Sequence, residues 1–238
     1  MKTNTSIFIA AIALLLDVTT VKAQGTNAYF RKNGVTVFQS PIADIDSIVF
    51  MQTPEYDDCQ SFDNPQGVVI NGVRWATRNV GDPGTFASSP CDYGEYYQFN
   101  KGTTDFLPYD DYFNSDYAQS DSWLPANDPS PAGWRVPTLV EIQKLFDTNY
   151  VTYEWIDENG LTGGKFTDRT TGNSIFLPAA GYRYGYDGTF SYVGSYGRYW
   201  SSTVYDSYSA YYLYFYSGDA YWYYIYRFYG FSVRPVAE

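Results

Sequence analysis

The sequence contains no histidine, only two cysteines and only 15 basic residues. Without an imidazole there can be no Ser-His-Asp or Cys-His catalytic pair and no histidine-bound zinc. The 26 acidic residues give a formal net charge of -11. This charge argues against nucleic acid as a partner, because a surface that binds phosphates is basic.

No phosphate loop, Cys-x-x-Cys motif or alternating acidic calcium loop is found in the sequence. Adjacent acidic residues such as Asp57-Asp58 and Asp110-Asp111 are expected in so acidic a chain, and most such pairs are solvated. We therefore expect no metal and no cofactor. Among the alternatives, a carbohydrate-active enzyme that uses a carboxylate pair remains open, since the separation of the carboxylates in space decides it.

The N-terminus has the pattern of a secretory signal peptide over residues 1–23. Lys2 supplies a positive charge, residues 7–16 form a ten-residue apolar run, and Val21-Lys22-Ala23 is similar to a small-x-small cleavage site. Ten apolar residues are too few to cross a bilayer. We predict cleavage after Ala23 and export to the periplasm, the cell surface or the medium, with no transmembrane segment in the mature chain.

Cys59 and Cys91 are the two cysteines. An exported protein meets an oxidising environment, which favours a structural disulfide between them. Two free thiols are the second interpretation. A catalytic cysteine is the third, because no histidine is present to activate its thiol.

Turn signals divide the rest of the chain into three parts. Residues 24–53 form a predicted small N-terminal β-hairpin module, in which Asn33-Gly34 marks a type I′ turn. Residues 54–66 are a predicted polar linker, and residues 67–238 form the predicted main domain. A second Asn-Gly pair, Asn71-Gly72, predicts a hairpin near the start of that domain.

One helix is clearly indicated in the main domain. Thr138 and Glu141 form a Thr-x-x-Glu capping box after Pro137, and apolar residues at helical spacing predict a helix near 138–147. Short strand-like segments separated by turns surround it. One clear helix among many strands indicates an α+β domain.

The chain contains 27 tyrosines, and more than half of them lie between Tyr182 and Tyr229. In a strand over residues 211–216, Leu213 and Phe215 share one face, while the alternating tyrosines share the other. Core filling is the safer interpretation for any single tyrosine. For the whole set we favour an outward-facing binding surface, because so many buried phenols would each need a partner.

Three ordered motifs resemble the FISUMP-type major paralogous domain, an exported bacterial family with a C-type lectin-like fold. They are Ala-Gly-Trp-Arg-Val-Pro-Thr at 132–138, Trp-Ser-Ser-Thr at 200–203 and Gly-Phe-Ser-Val-Arg-Pro-Val at 230–236. The resemblance covers residues 67–238. It implies an α+β, C-type lectin-like domain, strand-rich with few helices, preceded by the small N-terminal β module. Family members often have a cysteine where this chain has Ser130.

Residues 199–236 are similar to the variable region of target proteins of diversity-generating retroelements. In those systems adenines of a template are randomised, which converts asparagine codons to those of Tyr, Ser, Asp, Ile or Phe. This chain has no asparagine after Asn173. The implied variable, ligand-binding positions are Tyr208, Ser209, Tyr212, Tyr214, Tyr216, Asp219, Tyr221, Tyr223, Tyr224, Ile225, Tyr226, Phe228 and Tyr229. The implied structural scaffold is Trp134, Trp200, Leu213, Phe215, Trp222, Arg227, Phe231 and Val233.

The resemblance implies an exported receptor- or adhesin-like protein that binds a protein or surface glycan without covalent chemistry. A structural cell-surface subunit with a fixed aromatic interface is the alternative from a different class. Formylglycine-generating enzymes share the lectin-like fold, but they depend on cysteines in the C-terminal half, and this chain has none after Cys91. We therefore expect a binding protein rather than an enzyme.

Overall fold

A computed structural model describes residues 20–24, 27–32, 35–41, 58–158 and 161–238. The chain divides into two compact units, Met1–Asp57 and Asp58–Glu238. The first unit is described only through the backbone of its strands. The two units are considered separately below.

The first unit contains an antiparallel sheet with the strand order β1-β2-β3, formed by Thr20–Gln24, Asn27–Lys32 and Val35–Pro41. Lys32 pairs with Val35, so the predicted strand pairing of the hairpin is confirmed, while the predicted type I′ turn at Asn33-Gly34 lies outside the described residues. β1 extends across the predicted cleavage point after Ala23, and cleavage stays a prediction. Residues 1–19 of the predicted signal peptide, 42–53 of the module and 54–57 of the linker lie outside the described residues.

The second unit is rich in short strands and has few helices. Its strands are β4 Val68–Ile70, β5 Val73–Trp75, β6 Tyr97–Gln98, β7 Trp134–Arg135, β8 Val151–Glu158, β9 Leu161–Asp168, β10 Ser174–Pro178, β11 Tyr182–Arg183, β12 Phe190–Ser191, β13 Gly197–Val204, β14 Ser209–Tyr216, β15 Asp219–Tyr226, β16 Gly230–Phe231 and β17 Val236–Ala237. Its α-helices are α1 Asp58–Ser61, α2 Tyr109–Phe113 and α3 Leu139–Lys144, and 3-10 helices span Asp116–Gln119 and Pro125–Asn127.

The strands of the second unit pair into four sheets, and every pairing between them is antiparallel. The strand orders are β4-β5-β17-β7, β10-β9-β8, β12-β11-β16-β6 and β13-β14-β15. The predicted strand-rich α+β class is therefore confirmed at this level. β17, at the end of the chain, joins β5 to β7, so the two ends of the unit meet in one sheet.

Local signals in the sequence are realised in the structure. Asn71 and Gly72 have φ values of 44° and 75°, as a type I′ turn requires, and β4 and β5 pair around them. At the start of α3, the Thr138 hydroxyl accepts a bond from the Glu141 N–H at 3.3 Å, and Glu141 accepts one from the Thr138 N–H at 2.8 Å. The capping box is thus confirmed, although α3 ends at Lys144, before the predicted position 147.

The second unit begins earlier than predicted, because part of the predicted linker is attached to it. A disulfide joins Cys59 to Cys91, as predicted. The Asp63 carboxylate forms an ion pair with Arg78 and accepts a bond from the Thr77 hydroxyl at 3.2 Å. Residues 58–66 are therefore part of this unit, and the linker prediction is wrong for them.

Three clusters of buried side chains lie in the second unit, and the two larger ones meet at β13 and β14. Tyr199, Leu213 and Phe215 lie in one cluster, together with Ile142 of α3. Trp200 lies in the other cluster, which also contains residues of β6 and β16. Most side chains of β13 and β14 are buried or half-buried, whereas the third strand of the sheet, β15, has the largest share of exposed side chains.

Candidate ligand-binding surface

β15 exposes a row of large aromatic side chains. Within the described residues its only paired neighbour is β14, so its outer edge is open. The exposed fractions are 39% for Tyr221, 41% for Trp222, 51% for Tyr223 and 48% for Tyr226. Consecutive residues of a strand point to opposite faces. Rings are therefore exposed on both faces of this edge strand.

Tyrosines on one face of β14 and β15 contact each other across the strands. Tyr214 pairs with Tyr221, and their ring centroids are 5.0 Å apart. Tyr216, two residues further along the same face of β14, lies 5.8 Å from Tyr214. The predicted alternation, with these tyrosines opposite Leu213 and Phe215, is confirmed by this register.

The cluster continues into a segment that the sequence comparison with variable regions did not include. The ring of Tyr196 lies 5.5 Å from that of Tyr214 and 4.6 Å from that of Tyr192, which in turn stacks on Tyr182 at 5.9 Å. We use the term tyrosine surface for these residues together with Tyr223, which lies on the same face of β15 as Tyr221: Tyr182, Tyr192, Tyr196, Tyr214, Tyr216, Tyr221 and Tyr223. In the sequence, the high density of tyrosines from residue 182 onward was the signal that could have identified Tyr182, Tyr192 and Tyr196 as part of the surface.

The opposite face of β15 carries a second aromatic group. Tyr205 stacks on Tyr224 with centroids 3.8 Å apart, and Tyr211 meets Trp222 edge-on at 5.6 Å. Trp222 was predicted to belong to the buried scaffold, and this is wrong. It pairs with the buried Leu213, but the core ends at β14, so nothing covers the tryptophan to the same extent.

Three predicted ligand-facing positions are buried, so those predictions are corrected. Ser209 and Tyr212 are each 5% exposed, and Phe228 is fully buried. The ring of Tyr212 contacts those of Trp200 and Phe231, at 6.3 and 4.9 Å, because β16 covers this part of β14. The outward side of a strand is therefore solvent-exposed only where no other element packs on it.

Phe228 is buried for a related reason. The rings of Tyr109 and Phe113 of α2 lie 5.0 and 5.8 Å from it, and Tyr186 covers it at 5.0 Å. These residues come from segments far away in the sequence. Phe228 therefore belongs to the core beneath the aromatic surface.

The other predicted positions divide as follows. Tyr208, Asp219, Tyr221, Tyr223 and Tyr226 are exposed, whereas Tyr214, Tyr216, Tyr224, Ile225 and Tyr229 are half-buried. Of the predicted scaffold, Trp200, Leu213, Phe215, Arg227, Phe231 and Val233 are buried as expected, and Trp134 is half-buried.

Four phenols in or next to the tyrosine surface have raised pKa values and are neutral at physiological pH. Burial, with smaller contributions from neighbouring tyrosines, raises the pKa of Tyr214 to about 12. Burial likewise raises the pKa of Tyr212 and of Tyr229 to about 12, and it raises the pKa of Tyr221. Each hydroxyl therefore keeps its proton and can both donate and accept a hydrogen bond.

The described residues contain no group of three or more Cys, Asp or Glu side chains placed to hold a metal ion. In the same part of the chain, none of the helices has the length and apolar character needed to cross a membrane. The arrangement at β15 thus offers ring faces, ring edges and neutral hydroxyls. These are groups suited to contact and orientation of a ligand.

The second unit is therefore an antiparallel α+β domain with an open, aromatic edge sheet. A family model described as a domain of unknown function (DUF8237) matches residues 154–236, a range that contains the whole of the sheet β13-β14-β15. No curated protein and no solved structure matches the chain.

Proposed function

We propose that this protein is an exported receptor- or adhesin-like protein that binds a protein or surface glycan through its tyrosine-rich edge sheet. The observation that carries the proposal is the exposure of four large aromatic side chains, Tyr221, Trp222, Tyr223 and Tyr226, on one strand. Soluble proteins rarely expose contiguous apolar patches without an interaction to serve. Recognition is non-covalent and uses no cofactor or metal.

Tyrosine suits this task for physical reasons. Its ring presents a large contact area with only two rotatable bonds, so little conformational entropy is lost when a ligand binds. In this surface the rings also support each other, for example Tyr214 against Tyr196 and Tyr221. A preorganised surface of this kind binds more tightly than the same area on flexible side chains.

We further propose that the scaffold is a FISUMP-type, C-type lectin-like domain and that its exposed positions are diversified by a retroelement. The motifs at 132–138, 200–203 and 230–236 support the family, and the lack of asparagine after Asn173 supports adenine mutagenesis. The exposed positions of β15 can change residue type without loss of core packing. Ser209, Tyr212 and Phe228 do not meet this condition.

Sequencing of the codons for residues 199–238 across a population that carries the gene tests the diversification. We expect differences at the exposed positions, such as Tyr221, Tyr223 and Tyr226, with Leu213 and Phe215 unchanged. The codons for residues 67–150 serve as the control and should not vary. An invariant segment would contradict diversification and favour the structural subunit with a fixed aromatic interface.

Binding itself is tested by a triple variant, Tyr221→Ala, Tyr223→Ala and Tyr226→Ala, screened with the native protein on glycan and protein arrays. We expect the triple variant to bind any ligand of the native protein at least about tenfold more weakly, because three exposed rings are lost. Thermal unfolding should be nearly unchanged, since the side chains are exposed. The matched control is Tyr150→Ala, a half-exposed tyrosine outside this sheet. Equal binding by native and triple-variant protein would contradict the proposed surface.

A further inference from the structure

Arg198 lies within the tyrosine surface and was not part of the predicted site. It is on β13, where it pairs with Tyr214, and Tyr214 pairs in turn with Tyr221. The three residues thus form one row across the sheet and point to the same face. This row places a positive charge among neutral phenols in a protein whose net charge is -11.

Aromatic rings surround the guanidinium of Arg198. Its central carbon lies 4.1 Å from the ring centroid of Tyr182, 5.4 Å from that of Tyr214 and 5.7 Å from that of Tyr212. Cation–π contacts of this kind stabilise a charge only modestly. They leave the N–H groups of the guanidinium without hydrogen-bond acceptors.

No acceptor is supplied by the described residues. Arg198 makes no ion pair and no hydrogen bond with them, and its Nε–H is enclosed without a partner. Other arginines differ: Arg135 binds Glu141 at 2.6 Å, and Arg227 donates to backbone carbonyls. A partly buried arginine that lacks an acceptor gains stabilisation from an anion that reaches it.

We propose that Arg198 receives the carboxylate of an acidic sugar that binds to the tyrosine surface. The inference rests on the proposed binding function and specifies the chemistry of its ligand. A planar guanidinium pairs with a planar carboxylate through two parallel hydrogen bonds. The rings of Tyr214 and Tyr221 then lie beside the sugar ring, in the row that Arg198 begins.

The phenols around Arg198 favour a sugar acid over an acidic peptide side chain. The hydroxyls of Tyr214 and Tyr221 have no hydrogen-bond partner among the described residues, and burial keeps both groups protonated. In a uronic acid, hydroxyl groups stand on the ring carbons close to the carboxylate, so they can pair with these phenols. Aspartate and glutamate side chains carry only methylene groups there.

The test is a titration of the full chain with sodium glucuronate, followed by NMR of the arginine Nε–H signals. We expect glucuronate to shift the Arg198 signal in a saturable manner, and glucose, its neutral counterpart, to leave it unchanged. Arg198→Gln should weaken glucuronate binding at least about tenfold, because the two charged N–H donors that pair with the carboxylate are lost. Arg198→Lys should keep part of the affinity. The matched control is Arg74→Gln, an exposed arginine on β5, which should bind as the native protein does.

A second titration, with N-acetylglutamate, separates the two sources of a carboxylate. Binding of N-acetylglutamate without binding of glucuronate would overturn the sugar assignment in favour of an acidic peptide. Equal responses to glucose and glucuronate, or no response to either, would overturn the role of Arg198. If an array ligand is lost by the tyrosine triple variant but kept by Arg198→Gln, the proposed function stands and this inference fails.

Discussion

Replacement of Arg227 by methionine should lower the free energy of unfolding by about 3–5 kcal/mol. The arginine is 1% exposed, and burial lowers its pKa. Its guanidinium donates to the backbone carbonyls of Ala118 at 3.1 Å, Ser120 at 2.8 Å and Asp206 at 2.5 Å. Methionine fills a similar volume but leaves these oxygens without a donor. Urea unfolding, followed by tryptophan fluorescence, measures the difference.

Two further variants separate the role of the donors from that of the charge. Arg227→Lys keeps the charge but cannot reach several carbonyls at once, so we expect it to recover only part of the loss. Arg74→Met, at an exposed position, should change stability by about 0.5 kcal/mol or less. A decrease in the free energy of unfolding below about 1 kcal/mol for Arg227→Met would show that these carbonyls find other donors. The structural role assigned to Arg227 would then be wrong.

The bonds of Arg227 bear on the binding surface as well as on stability. They hold the segment after the 3-10 helix Asp116–Gln119 and the loop at Asp206 against the end of β15. Two exposed tyrosines are attached to Arg227 directly: Tyr226 precedes it in the chain, and the carbonyl of Tyr208 accepts a bond from its backbone N–H at 2.9 Å. A buried arginine can therefore fix the position of residues that face a ligand without contacting the ligand itself.

The features that could be predicted from the sequence depend on a few neighbouring residues. A type I′ turn needs two residues with positive φ, which Asn71-Gly72 provides, and a capping box needs only Thr138 and Glu141. Face alternation along β14 is equally local, so Leu213 and Phe215 were placed correctly. The prediction of the disulfide between Cys59 and Cys91 used only the presence of two cysteines and the predicted export.

Burial on the outward face of the sheet could not be predicted, because it depends on segments distant in the chain. Tyr212 and Tyr214 have the same position in the alternation, yet β16 covers the first and leaves the second half-exposed. Trp222 is a large apolar residue of the kind that usually fills a core, but it lies on β15, one strand beyond the buried side chains of β14. Arg198 carries no sequence motif, because its ring neighbours come from β11 and β14.

The same distinction gives a large expected difference in stability between two substitutions by asparagine, the residue that the template would encode under the proposed diversification. Phe228→Asn should lower the free energy of unfolding by about 3–5 kcal/mol, because a fully buried ring is lost and an amide is left without partners. Tyr223→Asn should change it by about 0.5 kcal/mol or less, because half of that side chain is exposed on an edge strand. Urea unfolding of the two variants under the same conditions measures both values.

The comparison decides which positions a diversified surface can include. If Phe228→Asn is as stable as the native protein, then the ring contacts with α2 do not hold this position in the core, and Phe228 returns to the ligand-facing set. If it unfolds as expected, adenine mutagenesis at codon 228 would produce mostly unstable proteins, whereas the same mutagenesis at codon 223 would produce folded ones. Selection would then retain large apolar residues at 228 and admit many residue types at 223.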